Sequence, residues 1–366
     1  MVDLPRKISM QAFFDSYTKY ILPEDILLLA VSGGVDSMVL LDLVLANHPR
    51  ENIVVAHFDH SLRGVESDED RLFIAKLCNK RNVHFEVEKM DISTLAQEEK
   101  MSIEMAARKY RYMFLHEIAE KYQAKYILTA HHLDDRIETA MFNLIRGSKL
   151  GGIHALGEVS WTETLDSKST EYLNQRVVSD FSDPITNHQS PTTILRPLLH
   201  IPKSDIFDYA RAHHIEYRED STNTDTTYLR NYLRHMVLPE FERINPEYRR
   251  SIENFIEYSG EVQNWIDMQV RQWIENLKSK IQNSQKVQKN AAEYIFLISD
   301  FQSVSPFFQR EVVRYLYEVA NSGTIGLSAW LIDELIRFIT EGSNSYGIRE
   351  VKKLRLERRG ERITVS

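Results

Sequence analysis

Short apolar runs alternate with helical patterns through the first half of the chain. Residues 26–31, Ile-Leu-Leu-Leu-Ala-Val, have no polar face, which predicts a strand buried on both sides. A helix is predicted over 37–46, a second strand over 53–58 and a polar-faced helix over 71–79. Residues 83–87 alternate as a third strand, followed by a helix over 102–120, a fourth strand over 125–130 and a helix over 134–145. Strands separated by helices imply a parallel, doubly wound sheet, because each parallel crossover needs a helix to bring the chain back. Ligands in such sheets bind beyond the carboxyl ends of the strands. The residues just after each strand are therefore the ones to read for chemistry.

The pattern then changes. Residues 157–193 are polar, rich in Ser, Thr, Asp and Asn, and read as a long surface loop or hairpin. The run Ile-Leu-Arg-Pro-Leu-Leu at 194–199 returns to the edge of the sheet, a short helix follows over 203–213, and the domain closes near Arg218. Beyond it the chain is mostly helical. Asn245-Pro246 pairs a capping side chain with proline at a first helical position. Ile252, Phe255, Ile256, Val262, Trp265, Ile266, Trp273, Ile274 and Leu277 then trace one apolar stripe, expected to be core. A polar break at 282–288 precedes shorter helices and a small β segment over 351–365. The fold class expected is α/β, a doubly wound parallel sheet over 1–218, followed by a mainly helical second domain over 219–366 with that β segment at its end.

The 366 residues fit two or three domains at about 150 residues each. The formal net charge of −8 argues only weakly against nucleic acid, since phosphate contacts depend on local basic patches. Arg349, Lys352, Lys353, Arg355, Arg358, Arg359 and Arg362 form such a patch, unless they are simply the solvated face of a strand pair. Cys78 is the only cysteine, which excludes an intramolecular disulfide or a cysteine metal cluster within one chain. No apolar run approaches the roughly 20 residues that span a bilayer, and the first seven residues lead into no signal-like apolar core. No membrane partner and a cytoplasmic location are expected. A homodimer is left open.

The strongest motif is Ser32-Gly33-Gly34-Val35-Asp36-Ser37, between a buried strand and a helix. A phosphate-binding turn needs inward-facing backbone N–H groups, and glycine permits positive φ and close approach. The helix adds its positive N-terminal end. Ser32 and Ser37 can donate hydroxyl hydrogen bonds, and Asp36 can hold Mg²⁺ against the phosphates. The Gly-Lys-Ser/Thr ending of a Walker A loop is missing. The second constellation, TAHHLDDRIET from Thr129, begins where the fourth strand ends. Asp134 and Glu138 are four apart and Asp135 and Glu138 three apart, so these carboxylates share part of one helix face and can bind a cation, either Mg²⁺ or an ammonium group. A plainer reading is a capped helix with acids in its first turn. His131 and His132 are adjacent, and adjacent strand residues point to opposite faces, so zinc is not expected. Asp59 and Arg63 follow the second strand. Glu104, Arg108 and Arg111 share a helix face beside Tyr112, where Glu104–Arg108 could equally be an ordinary i, i+4 ion pair.

The SGGxDS arrangement resembles the pyrophosphate loop of the N-type ATP pyrophosphatases, the PP-loop family. The order SGGVDS, HFDHSLRGVES, EMAARKYRY, TAHHLDDRIET with RGS, RPLL, then DSTN with Tyr228, Arg230-Asn231 and Arg234, resembles the tRNA(Ile)-lysidine synthetases within it. The resemblance covers Ile26 to Arg234 firmly and the remainder loosely. Lys149 and Ala155 stand where that family carries glycines, and many members have a further C-terminal domain for which this chain is too short.

The resemblance implies an adenine nucleotide alpha hydrolase-like fold and a two-step reaction on the wobble cytidine of a CAU anticodon. The cytosine 2-oxygen attacks the α-phosphate of ATP and expels pyrophosphate. The ε-amine of free L-lysine then displaces AMP. It implies ATP contacts from Ser32, Gly33, Gly34, Val35, Asp36 and Ser37, with Mg²⁺ at Asp36 and Asp135. Asp59, Asp134 and Glu138 would hold the lysine ammonium, and Asp36, His131 and His132 would support the reacting phosphate. Arg108, Arg111, Arg146, Arg196, Arg230 and Arg234 would meet tRNA(Ile), since guanidinium groups suit bidentate phosphate contacts. The alternatives are a tRNA base thiolase, whose iron–sulfur versions need cysteines absent here, a small-molecule amide synthetase, and a non-catalytic RNA-binding module. Pyrophosphate release separates the last from the enzymes.

Overall fold

The computed structural model describes residues 10–61, 64–161, 176–177, 193–218, 229–282, 294–321, 326–341 and 346–366. They cluster into two compact units, Met1–Glu257 and Tyr258–Ser366, the division falling within one long helix. The sequence places its domain boundary at 218/219, near the end of the parallel sheet. The helices from Leu229 onward belong to the first compact unit as far as Glu257.

The first unit opens with helix α1 (Gln11–Tyr20), which the apolar pattern does not announce. Its sheet contains β1 (Leu27–Ala30), β2 (Ile53–Asp59), β3 (His84–Lys89), β4 (Tyr126–Leu128), β5 (Val159–Trp161), β6 (Arg176–Val177) and β7 (Thr193–Leu195) in the order β3-β2-β1-β4-β7-β5-β6. Pairs from β3 through β7 are parallel, and β5 pairs antiparallel with both β7 and β6. The 194–199 run is thus not at the edge. β7 lies inside the sheet, because the segment expected as a loop or hairpin returns β5 and β6 to cover it. Residues 162–175 and 178–192 of that segment lie outside the described residues.

Successive residues of each central strand feed opposite faces. Leu27, Leu29, Ile53 and Val55 join one buried cluster, and Leu28, Val54, Ala56 and Phe58 the other. This is why 26–31 carries no polar residue: both faces are covered by helices. One face is covered by α1, α2 (Val35–Asn47), α3 (Val65–Arg81) and α8 (Lys203–Ala212), the other by α4 (Ile92–Glu98) and α5 (Ile103–Tyr122), while α6 (Leu133–Ile145) and α7 (Leu150–Ile153) pack with Leu238, Tyr248 and Ile256 instead. Helix α3 begins well before the expected 71, where Gly64 at φ +55° turns the chain. Then come α9 (Leu229–Tyr232), a π-helical turn at Leu233–Val237, α10 (Leu238–Ile244) and α11 (Tyr248–Gln282). Asn245 accepts from the Glu247 N–H at 3.0 Å just before α11 begins.

The second unit holds the rest of α11, α12 (Ile298–Ser303), α13 (Pro306–Asn321) and α14 (Ala329–Glu341). Its antiparallel sheet has β8 (Tyr294–Leu297), β9 (Tyr346–Val351), β10 (Leu354–Arg359) and β11 (Arg362–Val365) in the order β8-β11-β10-β9. The α11 stripe is only partly core. Ile256, Ile266, Ile274 and Leu277 are buried, while Phe255 and Trp265 are 47% and 58% exposed. Among the described residues no helix is long and apolar enough to cross a membrane.

One histidine predicts a pH effect on stability. Burial of His116 on α5 disfavours its imidazolium and lowers its pKa to about 4. The unfolded chain binds a proton there below about 6.5 while the folded chain does not, so stability falls as pH drops from about 6.5 toward 4. At about 1.4 kcal/mol per unit the loss is on the order of 3 kcal/mol. Burial shifts His57, His131 and His154 in the same direction. Denaturant midpoints measured from pH 7 to pH 4.5 should decline, and His116→Gln should make that decline shallower. An equal decline in both proteins would remove His116 as a cause.

Candidate active site

The phosphate loop is held by hydrogen bonds within its own turn. Gly33 sits at φ +91°, which a side chain would strain, and its carbonyl accepts the Arg218 N–H at 3.0 Å. Ser37 Oγ donates to the Gly34 carbonyl at 2.9 Å and accepts from the Ser32 N–H at 3.2 Å. Ser32 Oγ lies 3.2 Å from Ser37 Oγ and accepts weakly from the Gly34 N–H at 3.4 Å. The turn therefore opens onto the N-terminal end of the 13-residue α2, as an anion site requires. Buried Val35 anchors the helix start, and Asp36 projects from its first turn.

A second group converges from the end of β4, next to β1 in the sheet. His132, 3% exposed, caps α6, and Asp135 accepts its backbone N–H at 3.1 Å. Its Nε2 lies 3.4 Å from Asp135 Oδ2 and 3.7 Å from Asp36 Oδ1, so His132 stands between the two carboxylates expected to hold Mg²⁺. His131 Nδ1 lies 2.9 Å from Thr129 Oγ1. Burial, together with Arg196, Arg111 and Arg108, holds the His131 pKa well below its usual value, so the ring is neutral. Arg108 and Arg111 lie 5.1 and 5.3 Å from the centre of the Tyr112 ring.

The expected lysine set is divided. Asp134 and Glu138 share the acid cluster on α6, whereas Asp59 sits at the end of β2, two strand spacings, or roughly 10 Å, across the sheet. Asp59 is 2% exposed, accepts the Ser61 N–H at 2.8 Å and lies 3.9 Å from Lys89 Nζ. Burial would raise the Asp134 pKa, but the Lys203 N–H at 2.8 Å and Arg249 Nε at 2.9 Å more than offset it and the net shift is down. Burial dominates at Glu138, which is raised even though Arg234 pulls against it.

The arginines expected at RNA fall into separate places. Arg146 and Arg230 both approach the Phe142 ring, at 5.0 and 6.0 Å, and Arg230 pairs with Glu104 at 3.6 Å. Arg234 enters the acid cluster, with Nε 2.6 Å and Nη2 2.9 Å from the two Glu138 oxygens. Arg196 is interior rather than at the surface: 1% exposed, it donates to the Gly157 carbonyl at 2.8 Å and to Ser160 Oγ at 3.0 Å. Arg63, Tyr228 and the DSTN residues 220–223 lie outside the described residues. In the C-terminal basic patch, Arg349, Arg355 and Arg359 pair with Glu334, Glu350 and Glu357, and Lys352 and Lys353 are exposed at the β9–β10 turn.

Two cations in the site escape a reading of the sequence. Lys203 Nζ lies 2.5 and 2.6 Å from the Asp36 oxygens, and Arg249 holds Asp134. A signal for Lys203 exists. It opens α8 directly after Pro202, where the helix end is positive and a lysine is unfavourable unless an acid meets it.

A formed phosphate loop at a β–α junction, flanked by acids at the neighbouring strand end, defines a phosphate-binding α/β protein. The PP-loop domain family matches residues 5–241, and the chain belongs to that family. It is 34% identical over 70% of its length to the tRNA(Ile)-lysidine synthase of Thermosipho africanus, covering 54% of that protein. It is 31% identical over 85% of its length to the tRNA(Ile)-lysidine synthase of Bacillus cereus strain ATCC 14579, covering 59%. The Nitrosomonas europaea protein of the same name is 31% identical over 70% of this chain, which covers 49% of it. The chain thus spans about half to three-fifths of these relatives' length.

Proposed function

We propose that the chain is an ATP-dependent ligase that joins L-lysine to the wobble cytidine of tRNA(Ile) through an adenylated base. The observation that carries this reading is an anion site beside a cation site. The SGGVDS loop stands against Asp134, Asp135 and Glu138, and relatives 31–34% identical to the chain are named tRNA(Ile)-lysidine synthases.

In this reading the loop N–H groups, Ser32, Ser37 and the α2 dipole hold the ATP phosphates. Neutral His131 can hydrogen-bond a phosphate or base without adding charge, while Arg108 and Arg111 beside it offset charge developing at the α-phosphate. Asp134 and Glu138 take the lysine ammonium. Glu138, whose pKa burial raises, is suited to accept the proton the amine must lose before attack. Asp36 and Asp135, whose oxygens lie 3.7 and 3.4 Å from the same His132 nitrogen beside the phosphate loop, would hold Mg²⁺, a metal that takes one or two carboxylates and completes its shell with phosphate oxygens and water. Such an ion would neutralise phosphate charge.

Purified protein incubated with ATP, labelled lysine and tRNA(Ile) bearing a CAU anticodon should release AMP and pyrophosphate and transfer label to the tRNA. Release without transfer, or no release, would overturn the reading. The basic patch gives a separate expectation. Lys352→Glu with Lys353→Glu should weaken tRNA binding and reduce the slope of log affinity against log salt by roughly 0.7 to 0.9 for each phosphate no longer neutralised. Fluorescence anisotropy across a salt series checks this, and an unchanged slope would leave RNA docking to Arg146 and Arg230.

A further inference from the structure

The acid pocket expected to receive the substrate ammonium already contains a cation. Glu138 is 3% exposed, and both of its oxygens are taken by Arg234, through Nε at 2.6 Å and Nη2 at 2.9 Å. The same Nη2 reaches Asp135 Oδ1 at 3.3 Å. An ammonium bound to Glu138 would compete with Arg234 for these two oxygens, in a pocket that leaves the acid almost no other exposed surface.

The two ends of this pair differ. The Glu138 side chain is 4% exposed and the Arg234 side chain 37%, so the arginine has an open route outward while the acid has none. Leaving the buried carboxylate alone is costly, so whatever removes Arg234 favours entry of another cation. Arg234 also stands on a distinctive backbone. Residues 233–237 form the π-helical turn, a geometry found frequently at functional sites. Four residues earlier on the same segment, Arg230 is half exposed beside Phe142. A phosphate docking at Arg230 would meet Arg234 next along the helix, and phosphate competes well with carboxylate for a guanidinium.

We infer that Arg234 is an internal stand-in for the substrate ammonium, which RNA draws off Glu138 so that lysine binds only after RNA. The inference rests on the lysine-ligase reading above and adds an order of binding to it. Lysine admitted early would sit beside ATP with no acceptor base to attack, and the stand-in prevents this.

Equilibrium dialysis of labelled L-lysine against the full chain, with and without unmodified tRNA(Ile) of CAU anticodon, tests it. Wild-type protein should bind lysine about tenfold or more tightly with tRNA present, within the usual range for coupled sites. Arg234→Ala should bind lysine without tRNA as tightly as wild type does with it, and should lose the tRNA effect. Arg234→Lys, which refills the pocket with a cation, should keep it. If Arg234→Ala does not fold, linkage gives a mutant-free measurement: lysine must tighten wild-type tRNA binding by the same factor. A wild type whose lysine affinity ignores tRNA, or a folded Arg234→Ala no tighter than wild type alone, overturns the inference. If such protein still forms lysidine, the ligase reading survives; if it forms none, that reading has failed as well.

Discussion

Asp36→Ala should reduce ATP-dependent pyrophosphate release by about a hundredfold to a thousandfold, the usual cost of losing one charge-stabilising group at a reacting centre. The carboxylate sits on the first turn of the helix that follows the phosphate loop, 3.7 Å from His132 and paired with Lys203. No core packing depends on it, since its side chain is 27% exposed. Its loss leaves Lys203 unpaired but 30% exposed, so the cost to stability should be within about 1 kcal/mol. The variant should therefore melt near the wild-type temperature while failing to adenylate. Asp36→Asn, which keeps the shape and removes the charge, should be nearly as impaired. Pyrophosphate release at the wild-type rate in either folded variant would remove Asp36 from the metal and phosphate site.

Features fixed by local chemistry are legible in the sequence. The loop is legible because a buried strand, two glycines and a helix start are contiguous, and Gly33 does take the positive φ that such a turn needs. The parallel sheet is legible because runs such as 26–31, apolar on both faces, fit only a strand covered twice. Partners distant in the chain are not. Lys203 meets Asp36 across 167 residues and Arg234 meets Glu138 across 96, and no periodicity reports such pairings. Asp59 groups with the α6 acids only because both follow strands, and the strand order leaves β1 between them. Residue type alone marks Arg196 as a surface group. Its apolar neighbours, Ile194 and Leu195 before it and Leu198 and Leu199 after it, are all buried and carry it inward with them. The α11 stripe misleads for the opposite reason, since a helical period marks an apolar face without saying how much of it is covered.

Lys203→Ala should have the second-largest effect, and in a way that separates two roles. The ammonium sits on both Asp36 oxygens, where Mg²⁺ would bind, so it would compete with the metal. Lys203 stands beside the loop that would hold the ATP phosphates, where its ammonium would stabilise the leaving pyrophosphate. Removing it should lower kcat/KM for ATP by about tenfold to a hundredfold. The Mg²⁺ concentration for half-maximal activity should fall at the same time, because no other cation among the described residues neutralises Asp36 so closely. A purely structural lysine would not produce that opposed pair of changes. Its loss would lower stability and leave the Mg²⁺ requirement where it was. Lys203→Arg should recover part of the ATP kinetics, since a guanidinium can reach phosphate, while keeping the higher Mg²⁺ requirement. Steady-state pyrophosphate release measured over a grid of ATP and Mg²⁺ concentrations distinguishes these cases. If Lys203→Ala leaves both the ATP kinetics and the Mg²⁺ requirement unchanged, the lysine belongs to the scaffold of α8 and not to the chemistry.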